Sequence, residues 1–238
     1  MHSRTSDSPK EIDADFGRGF LKSFRRGLLL GVWKGQPRLQ AAGKRGMDML
    51  VSFLMLLFLA PTFLAIAALI KLTDRGQVLF WQDRVGKFGR TFRFPKFRSM
   101  VVNAEALQRQ LDTQNQHGRG VTFKMKRDPR ITWIGRIIRR ASIDELPQLW
   151  CVLKGDMSLV GPRPPLVREV ARYTLSDRRR LDALPGLTCF WQVQGRSEIP
   201  FPRQVELDVD YIEQQNLVLD VKLLVKTVPA IIGGRGAY

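Results

Sequence analysis

Two adjacent carboxylates, Asp144 and Glu145, are the residues of this sequence best suited to chemistry. Pro147 follows closely, and proline is tolerated only in the first turn of a helix, so we expect a helix over residues 145–153 with Asp144 as its N-cap. The positive end of the helix dipole would keep this carboxylate ionised and therefore nucleophilic. Because Mg²⁺ combines one or two carboxylates with phosphate oxygens and water, Glu145 and Asp144 could also hold Mg²⁺ or Mn²⁺.

A purely structural explanation of the same residues stays open. Ser142 and Glu145 have the spacing of a capping box, which would stabilise a helix start without any chemistry. The neighbouring cations favour a role with phosphate. Arg163 stands between two prolines that fix the backbone, so its guanidinium loses little entropy when it binds a phosphate. Further candidate cations are Lys96, Arg98, Arg139 and Arg140.

Other catalytic chemistries have little support in this sequence. Its two cysteines, Cys151 and Cys189, lie in apolar patterns typical of small buried side chains, and no Cys/His spacing matches a zinc site. His2 is near a terminus and His117 lies in a polar stretch, so neither suggests acid–base or triad chemistry. Carboxylates must therefore carry any catalysis.

The charge balance predicts an anionic partner. With 39 Lys and Arg against 22 Asp and Glu, the chain of 238 residues carries a net charge of +17. Such an excess suits phosphorylated substrates, anionic lipid headgroups or nucleic acid. An apolar segment on the same chain favours a membrane surface and a phosphate ligand, with no nucleic acid. The alternative is a non-catalytic, membrane-bound protein that uses its charge to bind anionic lipid or nucleic acid.

The apolar segment covers the 22 residues from Met49 to Ile70. One straight helix of that length would measure about 33 Å, enough to span the hydrocarbon core. Pro61 should break it into arms of about 18 Å and 14 Å, each near half a bilayer. Basic residues flank both ends, so the positive-inside rule gives no clear direction. From these features a spanning helix and a re-entrant helix are equally supported.

The rest of the chain predicts an α+β, mostly helical domain. Residues 78–82 and 91–94 are predicted to form a β-hairpin, because Gly86 and Gly89 lie in the connection between two short apolar runs. Residues 1–43 read as a basic arm that lies on a membrane or forms a loose tail. Helical periodicity or a helical pattern is found at residues 103–112, 131–140 and 217–232, with Pro229 expected to bend or end the last.

A set of motifs in fixed order resembles the bacterial sugar transferase family. This family comprises the monotopic polyprenyl-phosphate phosphoglycosyl transferases that start exopolysaccharide and glycan assembly. The resemblance covers the chain from residue 44 to its end. The motifs that carry it are Lys44 to Asp48, Val78 to Gly86, Lys96 to Met100, Asp128 to Thr132, Arg139 to Leu149, Gly155 to Pro164, Pro185 to Thr188 and Gly195 to Ser197.

The resemblance implies a particular arrangement at the bacterial inner membrane. Residues 44–72 would form a re-entrant helix with both ends cytoplasmic, bent at a Ser-Pro pair that is here Ala60-Pro61. Residues 73–238 would form the cytoplasmic catalytic domain, with amphipathic interfacial helices, contact with anionic inner-membrane lipids and possible homodimers. The alanine replaces the serine of the family, and Cys151 stands where the family usually has asparagine.

The resemblance also implies a reaction. Asp144 would attack the β-phosphorus of a UDP-sugar and release UMP, and polyprenyl (undecaprenyl) phosphate would then take the sugar-phosphate from the aspartate. Glu145 would bind Mg²⁺ beside this nucleophile. An alternative without chemistry is a structural membrane partner in polysaccharide export. The residues expected to bind substrate phosphate are Lys96, Arg98, Arg139, Arg163 and Arg196.

Overall fold

The computed structural model describes residues 37–104, 106–107 and 128–232. Nearly all of the predicted basic arm 1–43 and most of the predicted helix 103–112 lie outside these residues. The chain divides into two compact units, Met1–Ala42 and Gly43–Tyr238. The candidate site belongs to the second unit.

The apolar segment lies in one long helix, α1, which runs from Pro37 to Asp74. Leucine, methionine and alanine are strong helix formers, and they dominate this segment. Helix α1 continues through the exposed Pro61, so the structure has one uninterrupted helix rather than two separate arms. Residues Leu39–Thr73 are long and apolar enough to cross a membrane by length and composition. A bend at Ala60-Pro61 and a re-entrant course stay predictions.

Polar side chains connect the first half of α1 to the domain that follows it. Lys44 Nζ donates to Asp220 Oδ2 at 2.5 Å, and Arg45 donates to the backbone oxygens of residues 152 and 153 at 2.5 and 2.7 Å. The carboxylate of Asp48 accepts a hydrogen bond from the amide of Leu159 at 3.1 Å. Asp48 and Asp220 are buried, so these contacts satisfy charges that would otherwise be costly.

The second half of α1 packs into an apolar cluster of the same domain. Ile66 and Ile70 are buried against Phe97, Ile134 and Ile138. Burial of such side chains contributes roughly 1.5–3 kcal/mol each. Both halves of α1 therefore contact the domain, while the large apolar side chains between them stay exposed.

An antiparallel hairpin follows α1. Strand β1 is Leu79–Val85 and strand β2 is Thr91–Phe97, with Leu79 opposite Phe97 and Val85 opposite Thr91. The hairpin prediction is confirmed, although both strands extend further than the sequence indicated. The connection contains a short 3₁₀ helix, Lys87–Gly89, in which Gly89 has a positive φ of 80° that favours glycine.

Helix α2, Trp133–Arg140, begins where Thr132 accepts a hydrogen bond from the Gly135 amide, and confirms the helical pattern seen over residues 131–140. A 3₁₀ helix, Ile143–Gln148, leads into helix α3, Leu149–Lys154. Gly155 ends α3 with a φ of 95°, as expected for a glycine cap. The buried free cysteines, Cys151 and Cys189, confirm the prediction made for them.

A second, parallel sheet joins β3, Ser158–Val160, to β4, Gly186–Thr188. The helical pattern predicted over residues 217–232 is confirmed by a helix over Leu217–Ile232, and this helix runs through Pro229, so the expectation that Pro229 could end it is wrong. Sequence patterns did not predict the parallel pair or the helix Phe201–Gln214, yet the mostly helical character with a small sheet is confirmed. The remaining helices are α4, Val167–Val170; α5, Leu175–Arg178; α6, Phe190–Gln194; α7, Phe201–Gln214; and α8, Leu217–Ile232.

Candidate active site

The two carboxylates lie in the 3₁₀ helix that precedes α3. The expected N-cap position of Asp144 is wrong, because Ser142 precedes the 3₁₀ helix with a φ of 55° and Asp144 lies inside it. The tighter turn closes a hydrogen bond from the Glu145 amide to the Ser142 oxygen at 3.3 Å. Helix α3 begins only at Leu149, so the helix dipole does not act on Asp144 as the sequence suggested.

Glu145 is held between two cations. Lys96 Nζ donates to Glu145 Oε1 at 2.6 Å, and Arg163 Nη2 donates to the same oxygen at 2.7 Å. Arg163 Nη1 also lies 3.3 Å from Glu145 Oε2, which makes the pair two-pronged. Burial alone would raise the pKa of Glu145, but Arg163 and Lys96 outweigh it and hold that pKa well below its usual range. Glu145 is therefore firmly ionised.

Asp144 has a different electrostatic environment. Its side chain is buried, and burial raises its pKa to about 6, with a further contribution from Glu145, while Lys96 opposes the shift. A carboxyl with this pKa is mostly ionised at neutral pH. Because burial limits the solvation of this charge, the ionised oxygen could act as a nucleophile. The two carboxylates thus have different environments that shift their pKa values in opposite directions, as is common for paired carboxylates in active sites.

All seven predicted catalytic and phosphate-binding residues line one cavity of about 1240 Å³. Asp144 and Glu145 share this cavity with the five predicted cations, although these come from widely separated parts of the chain. The concentration of positive charge around one carboxylate pair suits an anionic, phosphorylated ligand. The five cations are Lys96, Arg98, Arg139, Arg163 and Arg196.

Arg84, which holds the turn Pro162-Arg163-Pro164 in place, was not predicted from the sequence. Arg84 is buried in β1, and its Nη1 donates to the Pro164 oxygen at 2.9 Å. The amide of Val85 donates to the Pro165 oxygen, also at 2.9 Å. Burial, helped by the charge of Arg163, lowers the pKa of Arg84 to about 10. Arg84 acts on backbone oxygens about eighty positions away, a pairing for which its local sequence carries no signal.

Gly161 and Gly186 allow the backbone before the Arg163 turn to lie close to strand β4. A Cβ atom on Gly186 would lie 2.0 Å from the Gly161 amide nitrogen, and one on Gly161 would lie 2.4 Å from the Leu184 oxygen. Hydrogen bonds close this contact, from the Gly161 amide to Thr188 at 3.0 Å and from the Gly186 amide to the oxygen of residue 162 at 2.8 Å. The turn that carries Arg163 is therefore fixed on both sides.

The donor set for a metal ion is small. Within residues 37–104, 106–107 and 128–232, no group of three or more His, Cys, Asp or Glu side chains could hold a metal ion. Asp144 and Glu145 together supply two carboxylates, which is the number that Mg²⁺ commonly takes from a protein when phosphates and waters complete its shell. Mg²⁺ bound by these two carboxylates together with a phosphorylated substrate therefore stays a prediction.

A buried carboxylate beside an ion-paired one, in a cation-rich cavity that a long apolar helix also lines, suits phosphate chemistry. Comparison with known proteins gives the family. A family model described as bacterial sugar transferase matches residues 39–234, and the chain belongs to this family. The resemblance drawn from the motifs is confirmed, and so is the expectation of a sugar transferase enzyme.

Named relatives agree with this assignment. The exopolysaccharide production protein ExoY of Sinorhizobium fredii is 36% identical over 198 residues, which cover 82% of this chain and 88% of that protein. The galactosyl transferase CpsE of Streptococcus agalactiae is 50% identical over 165 residues, or 69% of this chain and 36% of the relative. The undecaprenyl-phosphate galactose phosphotransferase of Salmonella typhimurium is 41% identical over 199 residues, or 82% of this chain and 41% of the relative. The chain thus spans well under half the length of the last two.

Proposed function

We propose that this protein transfers a sugar-1-phosphate from a UDP-sugar to polyprenyl (undecaprenyl) phosphate and releases UMP. The observation that carries the proposal is the division between the two carboxylates: Glu145 is locked to Lys96 and Arg163, whereas Asp144 is buried beside them with a raised pKa. Relatives named as undecaprenyl-phosphate sugar phosphotransferases support the choice of acceptor.

In the first half-reaction an oxygen of Asp144 attacks the β-phosphorus of the UDP-sugar. The bond between this phosphorus and the oxygen that bridges to the α-phosphate breaks, and UMP leaves with that oxygen. A sugar-phosphate remains on the aspartate as an acyl phosphate. Lys96 and Arg163 are held beside Asp144 by their ion pairs with Glu145. Their charges would stabilise the negative charge that spreads over the phosphate oxygens in the transition state.

In the second half-reaction an oxygen of polyprenyl phosphate attacks the same phosphorus. The acyl phosphate bond breaks, Asp144 is regenerated, and polyprenyl-diphosphate-sugar is formed. One phosphoanhydride replaces another over the two steps, so the overall reaction is nearly balanced and reversible. Covalent catalysis of this kind divides one difficult transfer into two easier ones.

Asp144 and Glu145 would hold Mg²⁺ or Mn²⁺, which supplies charge neutralisation on the diphosphate when it is bound. Glu145 already has two cationic partners, so Lys96 and Arg163 would share this neutralising role. The protein's own contribution is to keep both carboxylates and both cations in fixed positions around one phosphate group.

The membrane course that we propose for α1 is re-entrant, with the catalytic domain at the cytoplasmic face of the inner membrane. Asp48 and Ile70 both contact the catalytic domain, although the residues between them would measure about 33 Å as a straight helix. A helix that crossed the bilayer would place these residues at opposite faces. The exposed apolar side chains of the middle, such as Phe58 at 82%, suit burial in lipid.

Replacing Asp144 by asparagine tests the proposal. UMP release from a UDP-sugar in the presence of polyprenyl phosphate should vanish, while the variant still partitions into membranes. Asp182→Asn, a change of an exposed aspartate away from the cavity, is the matched control and should behave as the native protein. Retained UMP release in Asp144→Asn would contradict the proposed mechanism. A non-catalytic binder of anionic lipid or nucleic acid would release no UMP in any variant.

A further inference from the structure

The cavity that contains the carboxylates also has an apolar end. Val51 and Met55 of α1 line it, as do Leu224, Val228 and Ile231 of α8. None of these side chains can hydrogen-bond to a sugar nucleotide, and none contributes to the phosphate chemistry described above. One cavity therefore joins a charged region around the carboxylates to a groove with two hydrocarbon walls.

The two walls are brought together by a partly buried ion pair. Lys44 of α1 binds Asp220 of α8, and both helices continue from that point. Val51 and Met55 lie two and three turns after Lys44, while Val228 lies two turns after Asp220. Residues at these intervals share a helix face, so the groove walls continue the faces on which the ion pair lies.

The inner part of the groove is also fixed. Thr227 of α8 and Thr188 of β4 have their hydroxyl oxygens 2.8 Å apart, and Thr227 donates to the Leu223 oxygen at 2.7 Å. Thr188 and Leu187 line the cavity at the parallel sheet, whose other strand carries Leu159. The groove is therefore continuous with the sheet that supports the Arg163 turn.

We infer that the groove between α1 and α8 binds the first isoprene units of the polyprenyl phosphate acceptor. This inference rests on the proposed function and assigns the hydrocarbon part of the substrate to its own subsite. An amphiphile with a phosphate head matches a cavity with cations at one end and apolar walls at the other. From Leu224 to Ile231 the wall extends about 10 Å, the length of roughly two isoprene units.

The location of the groove also fits a lipid chain. Met55 and Val228 are 37% and 57% exposed although both are apolar. Helix α1 is apolar enough to cross a membrane, so the open side of the groove lies beside the segment that would enter lipid. A chain that lies between the helices covers the apolar walls and continues into the bilayer, while its phosphate lies by Asp144.

Filling the groove tests this inference. Val228→Trp should raise the KM for polyprenyl phosphate about tenfold, the equivalent of losing the burial of two methylene groups. Only the KM for the acceptor should change. The rate at which labelled UMP exchanges into the UDP-sugar, which reports the first half-reaction alone, should stay as in the native protein. Val225→Trp is the matched control, since Val225 is an exposed valine of the same helix that does not line the cavity.

Unchanged acceptor KM in Val228→Trp would overturn the inference, as would an equal loss in both tryptophan variants. A second measurement uses the native protein in lipid nanodiscs with a polyprenyl phosphate that carries a diazirine in its second isoprene unit. Light should attach the probe to the peptides that contain residues 51–55 and 224–231. Attachment confined to the outward side of α1, around Phe58, would also overturn it. Absence of UMP exchange in the native protein would instead refute the proposed function.

Discussion

The site depends first on the chemistry of individual side chains. Arg163 forms two contacts with Glu145 from a turn that Arg84 and two glycines hold in place. This geometry needs a planar, forked cation, since a lysine offers a single point charge on a flexible stem. In the proposed mechanism, the buried Asp144 beside it needs these fixed charges to react at a phosphate that is itself negative.

Arg163→Lys should therefore lower kcat/KM for the UDP-sugar by about a hundredfold, because loss of one fixed donor at a developing charge commonly costs this much. Steady-state UMP release measures the effect, and thermal unfolding should show a folded protein. Arg172→Lys, at an exposed arginine away from the cavity, is the control and should change neither quantity. Native kinetics in Arg163→Lys would show that the two-pronged contact has no role in the reaction.

The proposed metal makes a separate prediction. Excess EDTA should abolish UMP release, and added Mg²⁺ or Mn²⁺ should restore it, because two adjacent carboxylates with a diphosphate form a favourable oxygen site. The midpoint of thermal unfolding of the protein without substrate should change little on chelation. Full turnover in excess EDTA would contradict the metal role assigned to Glu145. Neutralisation of the diphosphate charge would then depend on Lys96 and Arg163.

The residue types of the site were predictable to a large degree. Asp144, Glu145 and five cations were selected from the sequence, and all of them line one cavity. The local conformation of Asp144 was not predictable, because the choice between an α-helical N-cap and a 3₁₀ turn depends on the tertiary contacts of neighbouring residues. Arg84 was missed for a related reason, since its partners are backbone atoms of a remote turn.

At the scale of elements, sequence periodicity predicted the helices and strands that depend on contacts between residues close in the chain. The hairpin, α2 and α8 have alternating or helical periodicity, and the structure contains all three. The parallel pair of β3 and β4 has strands of only three residues each. Strands this short show no readable periodicity, and they meet across a connection that contains α4 and α5. Such pairing is set by the whole domain and not by the sequence of either strand.

The close approach of Gly186 to Gly161 gives a test at this scale. Gly186→Ala would place a Cβ atom 2.0 Å from backbone, so it should destabilise the domain by about 1–3 kcal/mol or more and lower turnover. Chemical denaturation and UMP release measure these effects. Gly46→Ala is the control: its Cβ meets nothing within 4 Å in α1, and alanine favours a helix by up to about 1 kcal/mol. Equal stability of the two variants would show that the turn does not require this contact.

For the whole molecule, the central feature is that both halves of α1 contact one domain. The ion pair between Lys44 and Asp220 and the apolar cluster that contains Ile70 hold α1 against the domain that carries the site. The proposed re-entrant course follows from these contacts together with the length of the apolar segment. The sequence alone left spanning and re-entrant courses equally supported, because it could not show which residues α1 would touch.

Topology is therefore the prediction that belongs to this scale. Cysteines introduced at Arg4 and Tyr238 should both resist an impermeant thiol reagent in intact cells and react after the membrane is permeabilised. The native Cys151 and Cys189 are buried, and burial raises the pKa of both thiols, so they should contribute little background. Pro61→Leu is the comparison variant and should expose the residue 4 position at least partly. Labelling of that position from outside in the otherwise native chain would show a spanning helix.

The covalent role of Asp144 is tested most directly by one single-turnover measurement. Protein in excess over a UDP-sugar labelled in its β-phosphate, with no polyprenyl phosphate present, should release UMP and retain the label on the protein. Peptide mapping should place the sugar-phosphate on Asp144, and later addition of polyprenyl phosphate should move the label to lipid. If UMP is released only when the acceptor is present and no label is ever found on Asp144, the transfer is direct and the covalent account is contradicted.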